Sequence, residues 1–373
     1  MISKNYSFAN LTLNELQLVT VRSCDYQTLT STLALEEIGD TLESQIGNTP
    51  IIKLQKIVPR SIESSIYAKL ELCNPGGSVK DRCALAMVDE AEESGRLRPG
   101  ISTIVEASSG NTGIGLALLS AIRGYKLVIT IPEKMSTEKK NLLKAYGAEI
   151  VVTPNLPHSD PRSYLEVAKK IARETPDAVF LDQCNNQANA RAHLRTGEEI
   201  YKQLGGRKIS ALVAGAGTGG TISGAGYQLK KLSPGIRVIG VDPEGSILSG
   251  GKDAPYKVEG IGYDFVPETL WDGAVDEWIR VSDKDSFRTA RRLAREEGFL
   301  AGGSSGAAVF ATLKVAERFD SPDDNIVVII PDRGERYLST IYNDEWMIKN
   351  GFLDNSDFEE HSGDFSKDRV NRP

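Results

Sequence analysis

Histidine is scarce in this sequence. His158, His193 and His361 lie scattered along 373 residues, which leaves little material for a His-based metal cluster or a catalytic triad. Cysteine is nearly as rare: Cys24, Cys73, Cys83 and Cys184 form no CxxC pair, so zinc does not fit and no metal is expected. No apolar signal-type segment precedes them, and a reducing cytoplasm is the expected compartment. No apolar run reaches the length that spans a bilayer, so no membrane association is expected. A basic excess is missing too. The 44 Lys plus Arg face 51 Asp plus Glu for a net charge of -7, and no basic block could track a phosphate backbone, which argues against a nucleic-acid partner.

What is present suffices for a large core. Hydrophobic residues make up 40% and charged residues 25%, and the length suits two packed domains better than one. Residues 1–45 show no sustained pattern and read as an extension, until Gly47-Asn48-Thr49-Pro50 marks a break. Short β-branched runs then alternate with amphipathic stretches, the pattern of crossover connections between parallel strands. Strands are expected at Ser65–Leu70, Thr103–Glu106, Lys126–Ile131, Glu149–Thr153, Ala211–Ala214, Arg237–Val241 and Asn325–Ile330, each apolar enough to be buried on both faces. Helices are expected at Asp81–Glu93, Gly113–Arg123, Thr137–Tyr146, Tyr164–Glu174, His193–Leu204 and Ser286–Glu297. The result is an open α/β arrangement. Past Trp346-Met347-Ile348 the tail turns polar and acidic and is expected to fray.

Four glycine-rich turns stand out. Gly215, Gly217 and Gly220 follow an apolar strand and satisfy G-x-G-x-x-G, with Asp242 placed where a ribose-binding acid would sit in a dinucleotide site. The physics licenses less than a dinucleotide: glycines let backbone N–H groups approach any phosphate at a helix N-terminus. Asn74-Pro75-Gly76-Gly77-Ser78-Val79-Lys80 places a lysine directly after a glycine turn, though a lone lysine there is usually a solvated charge. Ser108-Ser109-Gly110-Asn111-Thr112-Gly113 offers hydroxyls, an amide and free N–H donors to a carboxylate, or else simple N-capping. Gly302-Gly303-Ser304-Ser305-Gly306 is a further turn before a helix. Each signal alone is modest, and their coexistence is what counts.

Together these segments resemble the four signatures of fold-type II pyridoxal-phosphate enzymes, specifically the cysteine synthase and cystathionine β-synthase family, over residues 46–352. The 242–248 and 258–265 segments and Trp346–Leu353 are most similar to the cystathionine β-synthase branch, whereas Asp332–Leu338 is closer to cysteine synthases and a phosphoserine-using synthase. The resemblance implies two open, twisted, parallel-sheet domains flanked by helices, as in the tryptophan synthase β-like fold, with pyridoxal 5'-phosphate in the cleft between them. The implied large domain takes residues 46–73 and 185–352, the smaller mobile one takes 74–184, and 353–373 is the tail. Lys80 is then the lysine that bonds the cofactor's aldehyde and serves as base for the substrate α-proton. Gly217, Thr218, Gly219, Gly220 and Thr221 match the phosphate cup, and Asn111 matches the residue at the ring's 3′ oxygen. Ser304 matches the residue at the pyridine nitrogen, where a hydroxyl can only hydrogen-bond and so favours elimination over transamination.

Ser108, Ser109, Gly110 and Thr112, with Gln183, match positions that grip the substrate carboxylate. Ala107-Ser108 departs from the family's Pro-Thr. Gly262 and Tyr263 match a glycine and a tyrosine facing the active site, and Tyr263 reads equally as a packed aromatic. The implied reaction is β-replacement on serine, O-acetylserine or O-phosphoserine through an aminoacrylate. Cystathionine would form with homocysteine, with sulfide or an amino-acid amine such as glutamate as alternative nucleophiles. Arg333 and Arg336 are candidates for a donor phosphate or for surface ion pairs.

A nicotinamide dehydrogenase would leave Lys80 and two glycine turns without a use. A catalytically silent binding relative is the other rival, and the joint presence of Lys80, Asn111 and Ser304 argues against it. Some members of the family bind haem through a Cys and His pair in an N-terminal extension. This extension has Cys24 and no histidine, so no haem is expected. The residues after Leu353 are too few for a regulatory module that answers S-adenosylmethionine. The expected partners are amino-acid substrates and a second copy of the chain in a homodimer.

Overall fold

The computed structural model describes residues 39–354 apart from 109, 134 and 320. The chain divides into two units, Met1–Asp40 and Thr41–Pro373. Of the first unit only Gly39 and Asp40, both exposed, are described, and every element below belongs to the second. Cys24, most of the 1–45 extension, the 355–373 part of the tail and the candidate Ser109 lie outside the described residues.

The second unit opens with strands β1 (Ile51–Lys53) and β2 (Ser65–Leu70) and helix α1 (Lys80–Glu93). Strands and helices then alternate as β3 (Thr103–Ala107), α2 (Asn111–Arg123), β4 (Lys126–Pro132), α3 (Thr137–Ala145), β5 (Glu149–Thr153), α4 (Tyr164–Glu174) and β6 (Ala178–Phe180). Next come α5 (Ala188–Gln203), β7 (Ala211–Gly215), α6 (Gly220–Leu232), β8 (Arg237–Pro243) and β9 (Glu277–Val281). Helices α7 (Asp283–Arg292) and α8 (Gly303–Ala316), strand β10 (Asn325–Ile330) and helix α9 (Asp344–Lys349) complete it.

These strands form two sheets. One runs β1-β2-β10-β7-β8-β9, parallel except for β1, and the other runs β5-β4-β3-β6, parallel throughout. The run Asn325-Ile-Val-Val-Ile-Ile330 is buried at every residue, because β10 lies between β2 and β7 with helices over the sheet. Strand β5 corrects the expectation of burial on both faces. It is an edge strand, Glu149 and Val152 are exposed, and only one neighbour pairs with it. Strands β1, β6 and β9 are three to five residues long and owe their existence to pairing partners more than to local pattern.

The expected helix over Ser286–Glu297 begins earlier, at Asp283, because the Ser282 side chain accepts the Asp285 N–H. Its final turn widens into a π-helical turn over Leu293–Glu297. Helix starts fall into two groups. Ser136, Ser163, Ser282 and Asn343 cap α3, α4, α7 and α9 with their side chains. Helices α1, α2, α5, α6 and α8 begin at Val79, Gly110, Gln187, Gly219 and Gly302 with no side-chain cap. In α1 and α2 nearby serines take some of the first N–H groups, Ser78 Oγ that of Lys80 at 3.2 Å and Ser108 Oγ that of Gly113 at 2.9 Å, while α6 and α8 keep theirs for another acceptor.

Candidate functional site

The starts of α1, α2, α6 and α8 meet at one cavity. It measures 740 Å³ and is lined by loops that leave the C-terminal ends of strands in both sheets, the place where open α/β sheets bind ligands. Lys80, Ser108, Asn111, Thr112, Gln183, Gly217, Thr218, Gly219, Thr221, Gly262, Tyr263 and Ser304 all face it. Of the candidates read from the sequence, Gly110 and Gly220 stand just behind the lining and Ser109 is not described. Both glycines are nonetheless required by close packing. A Cβ on Gly110, whose φ is +145°, would meet Lys139 Cδ at 2.5 Å, and one on Gly220 would meet Asn189 Oδ1 at 2.3 Å.

The loop from Gly217 to Thr221 fits a phosphate. A Cβ on Gly217 would meet the Gly260 carbonyl oxygen at 2.6 Å, and Gly219 turns at φ +81° against Leu270, so only glycine brings the backbone this close. The N-terminus of α6 offers uncapped N–H groups, with the Thr218 and Thr221 hydroxyls beside them. Asn189 Nδ2 donates to Thr218 Oγ1 at 2.9 Å and to the Gln183 carbonyl at 2.8 Å, tying the cradle to α5. His193, wholly buried, places Nε2 3.2 Å from Thr221 Oγ1 and Nδ1 3.1 Å from Thr196 Oγ1. Burial holds its pKa well below the usual histidine value, with the nearby Arg82 and Lys80 charges acting the same way, so the ring is neutral.

Across the cavity, Lys80 is the first residue of α1, and Ser304 lies buried in the first turn of α8. The Asn111 amide is clamped between two side chains. Its Nδ2 donates to Asp332 Oδ2 at 2.8 Å, and its Oδ1 accepts from Arg336 Nη1. Arg336 also donates to the Gly76 carbonyl, and the Tyr337 hydroxyl donates to Asp332 at 2.5 Å. This settles the two arginines differently from either expectation. Arg336 is buried and serves Asn111, Arg333 donates to the Leu72 carbonyl at 2.8 Å, and neither lines the cavity.

The carboxylate-type loop is built around Ser108. Its Oγ accepts the N–H of Gly110 at 3.1 Å and of Gly113 at 2.9 Å, leaving its own O–H to donate. Thr112 Oγ1 donates to Gln183 Oε1 at 2.6 Å, and Gln183 Nε2 donates to the Ala107 carbonyl at 3.0 Å. Beneath them Glu106 accepts the N–H groups of Asp182 and Gln183 at 2.9 and 3.3 Å. Burial pushes Glu106 up to about 8 although those N–H groups pull the other way. Tyr263 lines the cavity, and its hydroxyl lies 3.9 Å from Cys184 Sγ. Burial pushes the Tyr263 hydroxyl well above its usual pKa.

Asp242 is excluded as a ribose-binding acid. It is fully buried, its Oδ2 accepts the Ser249 N–H at 2.9 Å, and it does not line the cavity. Asn189, His193, Asp332 and Arg336 are the supporting residues that sequence reading missed, since only the folded chain brings them to the loops they hold. Among the described residues no group of His, Cys, Asp and Glu could hold a metal ion, and no helix is long and apolar enough to cross a membrane.

Two largely parallel sheets, with a lysine at a helix start, a cation-free glycine and threonine loop that fits a phosphate and a hydroxyl-bearing loop around one cleft, are the arrangement of a fold-type II pyridoxal-phosphate enzyme. The sequence pattern of the pyridoxal-phosphate dependent enzymes matches residues 42–332, and the chain belongs to that family. It is 51% identical over 327 residues to the cystathionine beta-synthase of Saccharomyces cerevisiae, covering 83% of this chain and 64% of that one. It is also 51% identical to that of Apis mellifera, covering 83% and 62%. The chain thus spans less than two thirds of the length of these curated relatives. Among solved structures, the O-acetylserine dependent cystathionine beta-synthase of Helicobacter pylori superposes with a TM-score of 0.77 at 39% identity, covering 82% of this chain and 99% of that one. A hydrogen sulfide-producing enzyme of Fusobacterium nucleatum gives 0.76 at 36% identity, covering 81% and 100%.

Proposed function

We propose that the chain catalyses β-replacement on serine or an activated serine, joining the three-carbon skeleton to homocysteine to give cystathionine. The observation that carries this reading is the convergence of Lys80, the Gly217–Thr221 cradle, Ser304 and the Ser108–Thr112 loop on one cavity. The names of the relatives support the same activity.

When bound, pyridoxal phosphate supplies an electron sink that makes the α-proton of a joined amino acid acidic. The backbone donors of Gly217 to Thr221 and the two threonine hydroxyls would seat its phosphate, Lys80 would bond its aldehyde carbon, and Asn111 would reach its 3′ oxygen. Ser304 would meet its ring nitrogen with a hydroxyl, which cannot hold a proton there as a carboxylate would, and so favours prompt loss of the β-substituent. Ser108, Ser109, Thr112 and Gln183, with the start of α2 behind Gly110, would hold the substrate carboxylate. The Lys80 amine takes the α-proton and later returns it. Tyr263 and Gly262 would border the incoming nucleophile.

A second reading keeps the mechanism and changes the nucleophile to sulfide. It is favoured by Arg336 and Tyr337, which belong to the segment most similar to cysteine synthases and hold Asn111 and Asp332. The described cysteines are free thiols, which suits a reducing cytoplasm, and we keep the homodimer as part of the proposal.

The deciding experiment combines purified protein, pyridoxal phosphate, each of serine, O-acetylserine and O-phosphoserine, and each of homocysteine, sulfide and glutamate, with products identified by mass. Cystathionine is the expected product. No product with any donor, or turnover only of a nicotinamide, would overturn the reading. Lys80→Ala should cost about 10³-fold or more in turnover and abolish the holoenzyme's visible band.

A further inference from the structure

We propose that Tyr164, His158 and Asp264 form the chain that accepts a proton from the incoming thiol or amine when it adds to the substrate. This deepens the β-replacement reading and rests on it. Lys80 is occupied with the α-proton, so the nucleophile needs an acceptor of its own. His158 lies in the loop between β5 and α4, Tyr164 is the first residue of α4, and Asp264 lies between β8 and β9. Two sheets therefore contribute to the group, and all three residues line the cavity with Tyr263. His158 Nε2 is 2.8 Å from Tyr164 Oη, and its Nδ1 pairs with Asp264 Oδ1. The ring is held edge-on by Phe265 at 4.5 Å and Tyr263 at 5.7 Å between centroids.

No other histidine among the described residues lines the cavity, because His193 is sealed behind Thr221. The side chains of His158 and Asp264 are 20% and 30% exposed, so a proton collected there can leave to solvent. The His158 bond holds the Asp264 carboxyl below its usual pKa, ahead of the opposing effect of burial, as expected for a carboxylate that balances an imidazolium. The other titratable groups facing the ring are Tyr164 and Tyr263, with Cys184 behind Tyr263, while Asp160 of the same loop is tied to Arg162. Burial pushes the Tyr164 hydroxyl well up, so it passes a proton on and does not stay ionised.

The step balances for an ester donor. The X–H bond of the nucleophile breaks, and its electron pair becomes the X–C bond at the β-carbon left open by the departed carboxylate or phosphate. The proton from X moves to Tyr164 Oη as the Tyr164 proton moves to His158 Nε2. The Lys80 ammonium returns its proton to the α-carbon, and His158 releases the one it gained to water.

The test separates the two halves of the reaction. Holoprotein is mixed with O-acetylserine alone and the spectral change followed, and then homocysteine is added and product counted. His158→Asn and Tyr164→Phe should leave the first half within about twofold of wild type. In the second half they should lose about 10²-fold, with partial rescue of His158→Asn by added imidazole. In cofactor-free protein, nitrogen NMR should find the His158 ring proton on Nδ1, shifted by Asp264→Asn. Equal losses in both halves, an unchanged second half, or a ring proton on Nε2 would overturn the inference while β-replacement stands. No consumption of any donor by wild type would overturn both.

Discussion

Asp81, the neighbour of Lys80, is fully buried and accepts the Gly76 N–H at 2.6 Å. A Cβ on Gly76 would meet Asp81 Oδ1 at 2.5 Å, so the glycine turn and this carboxyl fit only each other. Burial pushes Asp81 up from 3.8 to about 7, although the Gly76 N–H and Arg336 oppose it. The folded chain thus favours the neutral acid: the stabilisation is present in full below 3.8 and is lost as pH rises through about 7. Asp81→Asn keeps an acceptor for Gly76 without the titration. Urea melts should show wild type losing stability relative to this variant between about pH 4 and 8, and parallel curves would refute the assignment. On the other side of the cleft, Gly220→Ala drives a methyl group into Asn189, which positions Thr218. Pyridoxal-phosphate affinity, read by fluorescence titration, should fall by about tenfold or more, equivalent to about 1.4 kcal/mol. An unaltered affinity would mean that the cradle tolerates displacement.

Helix α1 is pinned where it carries Lys80 by Arg82, two residues on. Arg82 donates to Glu71 through Nε at 2.7 Å and Nη2 at 2.8 Å, and to Glu199 of α5 through Nη1 at 2.8 Å and Nη2 at 2.7 Å. Lys69 of β2, fully buried, donates to the same Glu199 at 2.8 Å. Burial alone would raise Glu199, but Arg82 and Lys69 hold it down at about 2. Glu199→Ala should therefore destabilise the chain by about 3–5 kcal/mol in denaturant melts, because it leaves buried Lys69 without a carboxylate and Arg82 with Glu71 alone. A loss below about 1 kcal/mol would show that the cations find other partners. Elements of this kind differ in how far the sequence exposes them. Strands β2, β5 and β10 and helix α4 were readable end to end, since their apolar periodicity and flanking breaks are local. Strand β6, three residues of intermediate burial, has no local signature, and α5 begins at Ala188 because the structure extends it beyond the segment its apolar spacing marks. Lys80, Ser304 and the cradle were legible because each sits on a glycine turn. His193, Asn189 and Asp332 were not, because their role exists only where distant segments meet, and His158 was visible merely as a scarce residue.

The cavity draws on both sheets, so its occupant joins them thermodynamically as well as spatially. Pyridoxal phosphate at a hundredfold excess over its Kd should raise stability by about 2.7 kcal/mol. Hydrogen exchange should slow both at the end of β3 and at the end of β7, and protection confined to one sheet would contradict a shared site. Among the residues from Gly217 to Thr221 there is no lysine and no arginine. An anion seated there displaces no condensed counter-ions from the loop, and the fixed dipoles that hold it are screened far less than mobile surface charges. Ionic strength high enough to strip phosphoesters from a cationic patch should thus leave this one in place, and tolerance of saline conditions follows from glycine and threonine alone.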